Sequence, residues 1–189
     1  MSDAASGSTK RKSEEALMDR VAANLEEQKA ELQEENARLA AMVPKFVNPA
    51  MGSVGDEATW EWKVKPEVVQ MYAQITGDEN PLHFDKEHAE ATRFGGLITH
   101  GGIQAGALNA LVAQKLPGPG TVFLKQELDY TNPVRVGDTL TAKGKIIWVH
   151  AKKPVCHMEV VVTATPEDAP ASSKEALRGR VVLYRALPK

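Results

Sequence analysis

The stretch THGGIQAGALNALVAQKL, from Thr99 to Leu116, constrains the fold more than any other part of the sequence. Its composition predicts a helix, with Thr99 as a candidate cap and Pro117 just after its end. Each glycine costs a helix about 1 kcal/mol relative to alanine, and three of them lie here. So many small residues indicate that something large packs closely against the helix, which we therefore predict to be buried.

The segments around this helix are mostly strand patterns. TWEWKVK alternates and is aromatic, and four strand patterns follow the helix, each bounded by Pro, Gly or Asp: TVFLKQELDYT, DTLTAKGKIIWVH, PVCHMEVVVTAT and RGRVVLYRAL. PEVVQMYAQIT predicts a short helix that Gly77 ends, and DKEHAEATR adds a helical turn or two. The predicted fold class is α+β, with an antiparallel sheet wrapped around a long central helix and a long N-terminal helix before it.

The chain is predicted to divide into four parts. Residues 1–12 are small and polar and predict a disordered tail. Residues 13–43 contain neither Gly nor Pro and predict a long helix, which PKFVNPAMGSVGDEA, the linker of residues 44–58, separates from the main domain of residues 59–189. The helix carries a heptad stripe of Met18, Leu25, Leu32 and Leu39, interrupted by Gln28 and Glu35 at two companion positions. Two alternatives remain open for this stripe, a coiled coil or packing on the main domain.

Charge, cysteine content and hydropathy exclude several classes of function. The net charge of −2 provides no field that attracts nucleic acid or a membrane surface. KRK at residues 10–12 is separated from the heptads by an acidic segment, which argues against a basic zipper. Cys156 is the only cysteine, which rules out an intramolecular disulfide and favours a buried, inert thiol. Without a signal-like or membrane-spanning segment, the expected location is the cytoplasm or an organelle matrix, and no membrane partner is expected.

ITGDENPLHFD, residues 75–85, is a candidate for acid–base chemistry. Gly77 permits a sharp exit from the helix, and Pro81 restricts Asn80 to extended geometry, which places Asp78 and His83 on a rigid loop. Five positions along such a turn can bring a carboxylate and an imidazole to the same water, and both groups transfer protons readily. The alternative is that these are ordinary turn residues and a surface histidine.

The order of three motifs identifies a family resemblance. YAQITGDENPLHFD, followed by FGGLITHGG and then YTNPVRVGDTL, resembles the MaoC-like family of (R)-specific enoyl-CoA hydratases, which have the hot-dog fold. The resemblance runs from about Thr59 to Leu187 and leaves out the first fifty residues. It implies a central helix rolled in a curved antiparallel sheet, usually in a homodimer, and hydration of a trans-2-enoyl-CoA to an (R)-3-hydroxyacyl-CoA.

The resemblance also assigns residues. Asp78 and His83 would be the catalytic pair, although which is acid and which is base stays open, and the Gly101 N–H would form the oxyanion hole. Asn80, His100 and Gly102 are predicted to contact the substrate, with helix capping as the alternative for His100. No metal and no cofactor are expected, because CoA enters as part of the substrate.

Three rival functions remain at this stage. They are a thioesterase on the same fold, an acyl-carrier-protein dehydratase, and a non-catalytic scaffold that dimerises and recruits partners through residues 13–43.

Overall fold

The computed structural model describes residues 23–24, 26–34, 47–48 and 50–186. The chain divides into two units, Met1–Pro44 and Lys45–Lys189. In the first unit, residues 23–24 and 26–34 are helical and exposed, which agrees with the predicted N-terminal helix over that part. The predicted tail and most of the heptad stripe lie outside the described residues, so self-association through residues 13–43 stays a prediction.

The second unit contains seven strands and three α-helices among its described residues. The strands are β1 (Val47–Asn48), β2 (Gly52–Ser53), β3 (Glu57–Lys63), β4 (Thr121–Tyr130), β5 (Thr139–Val149), β6 (Val155–Thr165) and β7 (Lys174–Arg185). The α-helices are α1 (Pro66–Thr76), α2 (Lys86–Glu90) and α3 (Gly101–Gln114), and short 3-10 helices span Pro81–His83 and Pro170–Ser172. No described helix is long and apolar enough to cross a membrane.

Five strands form one antiparallel sheet in the order β3-β5-β6-β7-β4. Side chains alternate along the inner strands, so that Leu140, Ala142 and Ile146 of β5 are fully buried on one face. The long connection between β3 and β4 contains all three helices, which places α3 next to the sheet.

The central helix α3 lies in the core formed by the sheet. Ile103, Ala107, Leu108, Leu111 and Val112 are at most 3% exposed. A side chain at Gly144 of β5 would meet Leu111 and Met158, so this strand glycine permits close packing of the helix on the sheet. The architecture is the hot-dog arrangement, and the predicted fold class is confirmed.

The structure corrects two boundaries of the predicted elements. The β1–β2 hairpin lies within the predicted linker, where Met51 is 0% exposed in the core, so the packed domain begins earlier in the chain than residue 59. Strand β7 begins at Lys174 rather than near Arg178, because the polar loop before it pairs with β6.

A further correction concerns the cap of the central helix. His100, rather than Thr99, is the N-cap residue of α3, and its side chain makes no capping hydrogen bond. The Thr99 N–H donates to the carbonyl of Val134 instead. This contact ties the start of α3 to the β4–β5 connection.

Candidate active site

The loop after α1 is fixed by short-range hydrogen bonds. Gly77 ends α1 with a positive φ of 74°, and its N–H donates to the Ala73 carbonyl. The Asp78 carboxylate then accepts from the Asn80 N–H at 3.2 Å, and the Asn80 side chain accepts from the Leu82 N–H at 3.0 Å. These two consecutive side-chain-to-backbone turns hold Asp78 and His83 in defined positions.

The hydrogen bonds of His83 determine which ring nitrogen faces Asp78. Its Nδ1 lies 2.8 Å from the Ile98 carbonyl oxygen, which can only accept, so Nδ1 carries the proton. The lone pair of the neutral ring is therefore on Nε2, 3.9 Å from Asp78 Oδ2. The His83 side chain is 8% exposed and that of Asp78 is 49% exposed. A carboxylate that reaches solvent thus faces a nearly buried imidazole.

His100 contacts both members of this pair. Its Nε2 donates to the backbone carbonyl of Asp78 at 2.9 Å, and its ring stacks on that of His83 with centroids 3.8 Å apart. The side chain is 1% exposed, and Nδ1 has no hydrogen-bond partner in the described part of the chain. His100 therefore positions the loop that carries Asp78, and the predicted substrate contact of His100 stays a prediction.

The N-terminus of α3 supplies free N–H groups next to this pair. The Ile103 N–H donates to the His100 carbonyl, whereas the N–H groups of Gly101 and Gly102 have no acceptor among the described residues. Such groups, at the positive end of the helix dipole, suit a developing negative charge on oxygen. The geometry is therefore compatible with the oxyanion role that was predicted for Gly101.

Two tyrosines lie against the glycines of this helix end. A Cβ on Gly102 would lie 1.7 Å from Oη of Tyr72, and a Cβ on Gly101 would lie 3.2 Å from Cε1 of Tyr130. Burial, and to a lesser extent the neighbouring Tyr72, raises the pKa of the Tyr130 phenol. The large groups expected against the helix are thus aromatic rings as well as the sheet.

A cavity of about 610 Å³ opens beside Gly101 and Tyr130. Its wall includes Thr99 and Gln104, both 3% exposed, whose side-chain oxygens lack a hydrogen-bond partner within the described residues. The cavity therefore lies next to Gly101, whose N–H has no acceptor among the described residues.

Arg135 holds the segment that leads into α3. Its guanidinium donates to the carbonyls of Leu97, at 2.7 Å, and Phe94. The adjacent Ile98 carbonyl orients His83, so Arg135 stabilises the acceptor that determines the tautomer of His83. Three lysines of the sheet are paired with carboxylates: Lys125 with Glu127, and Lys143 and Lys145 with Glu57.

One nitrogen or oxygen of each of Asp78, His83 and His100 lies within 4.8 Å of the others, close enough for a metal ion. However, His100 Nε2 already donates to a peptide carbonyl, so His83 Nε2 and Asp78 Oδ2 are the facing atoms of this group that have no hydrogen-bond partner among the described residues. Two such groups 3.9 Å apart suit one bridging water.

The structure brings together all six residues that the sequence singled out: Asp78, Asn80, His83, His100, Gly101 and Gly102. Asn80 caps the 3-10 helix, so its contact with substrate stays a prediction. Sequence reasoning gave no role to Tyr72 or Tyr130. A tyrosine on the apolar face of α1 and the pair of glycines at the start of α3 were the available signals.

Comparisons with known proteins agree with this architecture. Residues 51–169 match the model of the MaoC like domain. The chain is 43% identical over 75 residues to a 3-hydroxybutyryl-CoA dehydratase of Methylorubrum extorquens, covering 40% of this chain and 48% of that protein. It is 35% identical over 102 residues to an (R)-specific enoyl-CoA hydratase of Aeromonas caviae, covering 54% of this chain and 76% of that protein.

Solved structures show the same fold. The (R)-hydratase from A. caviae involved in PHA biosynthesis superposes with a TM-score of 0.63 at 29% identity, covering 70% of this chain and 96% of that one. An R-hydratase from Pseudomonas aeruginosa gives a TM-score of 0.61 at 28% identity, covering 72% and 90%. With its sheet, its central helix and more than half of its length matched, this chain belongs to the MaoC-like domain family.

Proposed function

We propose that the protein is an (R)-specific enoyl-CoA hydratase that adds water reversibly to trans-2-enoyl-CoA thioesters. The observation that carries this proposal is that His83 Nε2, which holds the lone pair, lies 3.9 Å from Asp78 Oδ2, near the helix end where the Gly101 N–H has no acceptor among the described residues. The names of the relatives, a 3-hydroxybutyryl-CoA dehydratase and an (R)-specific hydratase, support both directions of the same reaction.

The proposed reaction begins with a water held between Asp78 and His83. The water oxygen forms a bond to C3 of the enoyl group while one of its protons passes to His83 Nε2. The electrons of the C2=C3 bond move toward the thioester oxygen, where the Gly101 N–H stabilises the negative charge. A single donor of this kind contributes about 3 kcal/mol in comparable oxyanion holes.

In this reaction Asp78 starts in its protonated form and delivers that proton to C2, which leaves a carboxylate, and the electron pair returns from the oxygen to form the C2–H bond. Because Asp78 and His83 lie on one loop, both additions occur on the same face of the double bond. The proton on His83 Nε2 passes back to Asp78 through a second water, which restores the site. The reverse sequence dehydrates an (R)-3-hydroxyacyl-CoA.

Hydration of crotonyl-CoA by the purified protein tests this proposal, with chiral analysis of the product. We expect Asp78→Asn and His83→Ala each to lower kcat by about 10²–10⁴-fold, without loss of the folded domain. His157→Ala, an exposed histidine on β6, is the matched control and should behave as wild type. Hydration at the wild-type rate by both site variants would show that this pair is not catalytic.

The same assay separates the rival enzymes. A thioesterase releases free CoA, which a thiol reagent detects, whereas a hydratase consumes the enoyl absorbance and leaves the thioester intact. A dehydratase of carrier-protein substrates shares the chemistry, so crotonyl-CoA must be compared with a crotonyl carrier protein. For a scaffold, removing residues 1–43 would abolish the biological activity and the site variants would not, while we expect that deletion to leave most hydratase activity.

We also propose that the protein is a homodimer joined through β4. This strand pairs only with β7 among the described strands, so its other edge is unpaired there. Two of its apolar residues are largely exposed, Val122 at 51% and Leu124 at 59%. Exposed apolar edge strands are the usual sites for pairing with a second chain. Light scattering should show a dimer that Leu124→Lys weakens, while Val136→Lys, at another exposed apolar position, leaves it intact. A wild-type monomer would contradict this proposal.

A further inference from the structure

The Tyr72 hydroxyl occupies the place where a side chain on Gly102 would begin. The distance of 1.7 Å between Oη and an ideal Cβ shows that no other residue type fits at position 102 while Tyr72 keeps its position. Gly102 directly follows Gly101, whose N–H is the oxyanion donor of the proposed reaction. The phenol group thus lies at the same helix end as that N–H.

This hydroxyl has no hydrogen-bond partner within the part of the chain that the structure describes, and Tyr72 is half-buried. Half-buried tyrosines usually have a partner for the O–H group, because leaving it unpaired loses a hydrogen bond that water would provide. The hydroxyl is therefore free to donate to a molecule that enters the site.

Two sets of contacts fix Tyr72 relative to the catalytic pair. Its ring lies 4.9 Å from that of His100, which in turn stacks on His83. Its backbone carbonyl accepts from the Thr76 hydroxyl at 2.7 Å, and Thr76 Oγ1 accepts from the Asp78 N–H at 3.3 Å. These contacts therefore fix the position of the phenol ring relative to the loop of Asp78 and to the start of α3.

We infer that the Tyr72 hydroxyl is a second hydrogen-bond donor to the thioester oxygen, alongside the Gly101 N–H. This inference rests on the proposed hydratase function. An enolate oxygen accepts two hydrogen bonds readily, and a preorganised neutral donor strengthens its bond as the charge develops. Tyr72 keeps its proton throughout, because the proton transfers of the reaction take place at Asp78 and His83.

Tyr72→Phe removes only the hydroxyl and leaves the ring that packs on His100. We expect kcat for crotonyl-CoA hydration to fall by about 10–100-fold, with KM within about threefold of wild type and an unchanged melting temperature. Tyr184→Phe, the same change on the exposed end of β7, is the matched control and should leave kcat unchanged. Wild-type kcat in Tyr72→Phe overturns the inference.

A spectroscopic readout separates donation from packing. Sorboyl-CoA absorbs at longer wavelength when hydrogen-bond donors polarise its thioester carbonyl. The spectrum is measured on sorboyl-CoA bound to the Asp78→Asn variant, because the loss of the catalytic carboxyl group prevents turnover. Adding Tyr72→Phe should diminish the red shift while the thioester still binds. An equal red shift in the single and double variants would overturn the inference, even if kcat falls. Absence of hydration by the wild-type protein refutes the hydratase proposal separately, since the red shift is measured on binding alone.

Discussion

Replacing Gly102 by alanine isolates the contact between α1 and α3. The new Cβ would lie 1.7 Å from Oη, 2.4 Å from Cζ and 3.1 Å from Cε2 of Tyr72, so the ring must move. Overpacking of this kind costs about 1–3 kcal/mol. Gly106 lies one turn further along the same helix, and a Cβ there meets nothing within 4 Å. Gly106→Ala should therefore stabilise the protein by about 0.5–1 kcal/mol through helix propensity alone.

The two alanine variants should differ by about 1–3 kcal/mol in the free energy of unfolding, because both gain helix propensity and only Gly102→Ala introduces a clash. For a chain of this size the difference corresponds to about 2–12 °C in melting temperature. Tryptophan fluorescence at one fixed protein concentration is the appropriate measurement. Its three reporters, Trp60, Trp62 and Trp148, all lie in the second unit.

A double-mutant cycle identifies the cause of the difference. Tyr72→Leu lacks all three clashing atoms and should restore most of the stability lost in Gly102→Ala, whereas Tyr72→Phe keeps Cζ and should not. Equal stability of Gly102→Ala and Gly106→Ala, or equal rescue by leucine and phenylalanine, would refute the packing described between α1 and α3.

Three further predictions follow from individual contacts. Burial raises the pKa of the Cys156 thiol from 9.0 to about 12, so Ellman's reagent at pH 8 should react with it only after unfolding. The free energy of unfolding should fall as the pH rises above about 9, because the thiol of the unfolded chain ionises at a lower pH than the thiol of the folded chain. Arg135→Met leaves two carbonyls without their donor and should cost about 2 kcal/mol in urea unfolding, whereas exposed Arg93→Met should cost almost nothing. His100→Phe keeps the ring stack but loses the hydrogen bond to the Asp78 carbonyl. We expect kcat to fall by about tenfold or more with little change in KM, and an unchanged kcat would contradict the role of His100 in positioning the loop of Asp78.

The periodicity of the sequence was sufficient to predict most of the individual helices and strands. The predicted helix PEVVQMYAQIT coincides with α1, because Pro66 at the start and Gly77 at the end are local signals that need no partner. The strands β4, β5 and β6 were likewise found from alternation bounded by turn residues. The hairpin around Met51 was missed, because two-residue strands have no period and their burial depends on contacts with the distant β5.

The sequence by itself determined which chemical groups the site contains. Asp78, Asn80 and His83 belong to one short loop, and the hydrogen bonds of Asp78 and Asn80 within it span only two residues each, so spacing placed them on one rigid loop. The family resemblance then assigned them to the site, since composition alone is equally compatible with ordinary turn residues. Gly101 and Gly102 of α3 similarly indicated a close neighbour, because their cost to a helix needs a compensating contact, whereas Gly106 has no such neighbour.

Only the tertiary structure decided what those groups do. The tautomer of His83 is determined by the carbonyl of Ile98, 15 residues away, and the loop of Asp78 is held by His100, 22 residues away. The neighbour of Gly102 is Tyr72, on another helix. Contacts of this kind depend on how α1 and the segment before α3 pack together, and no pattern of neighbouring residues encodes that packing.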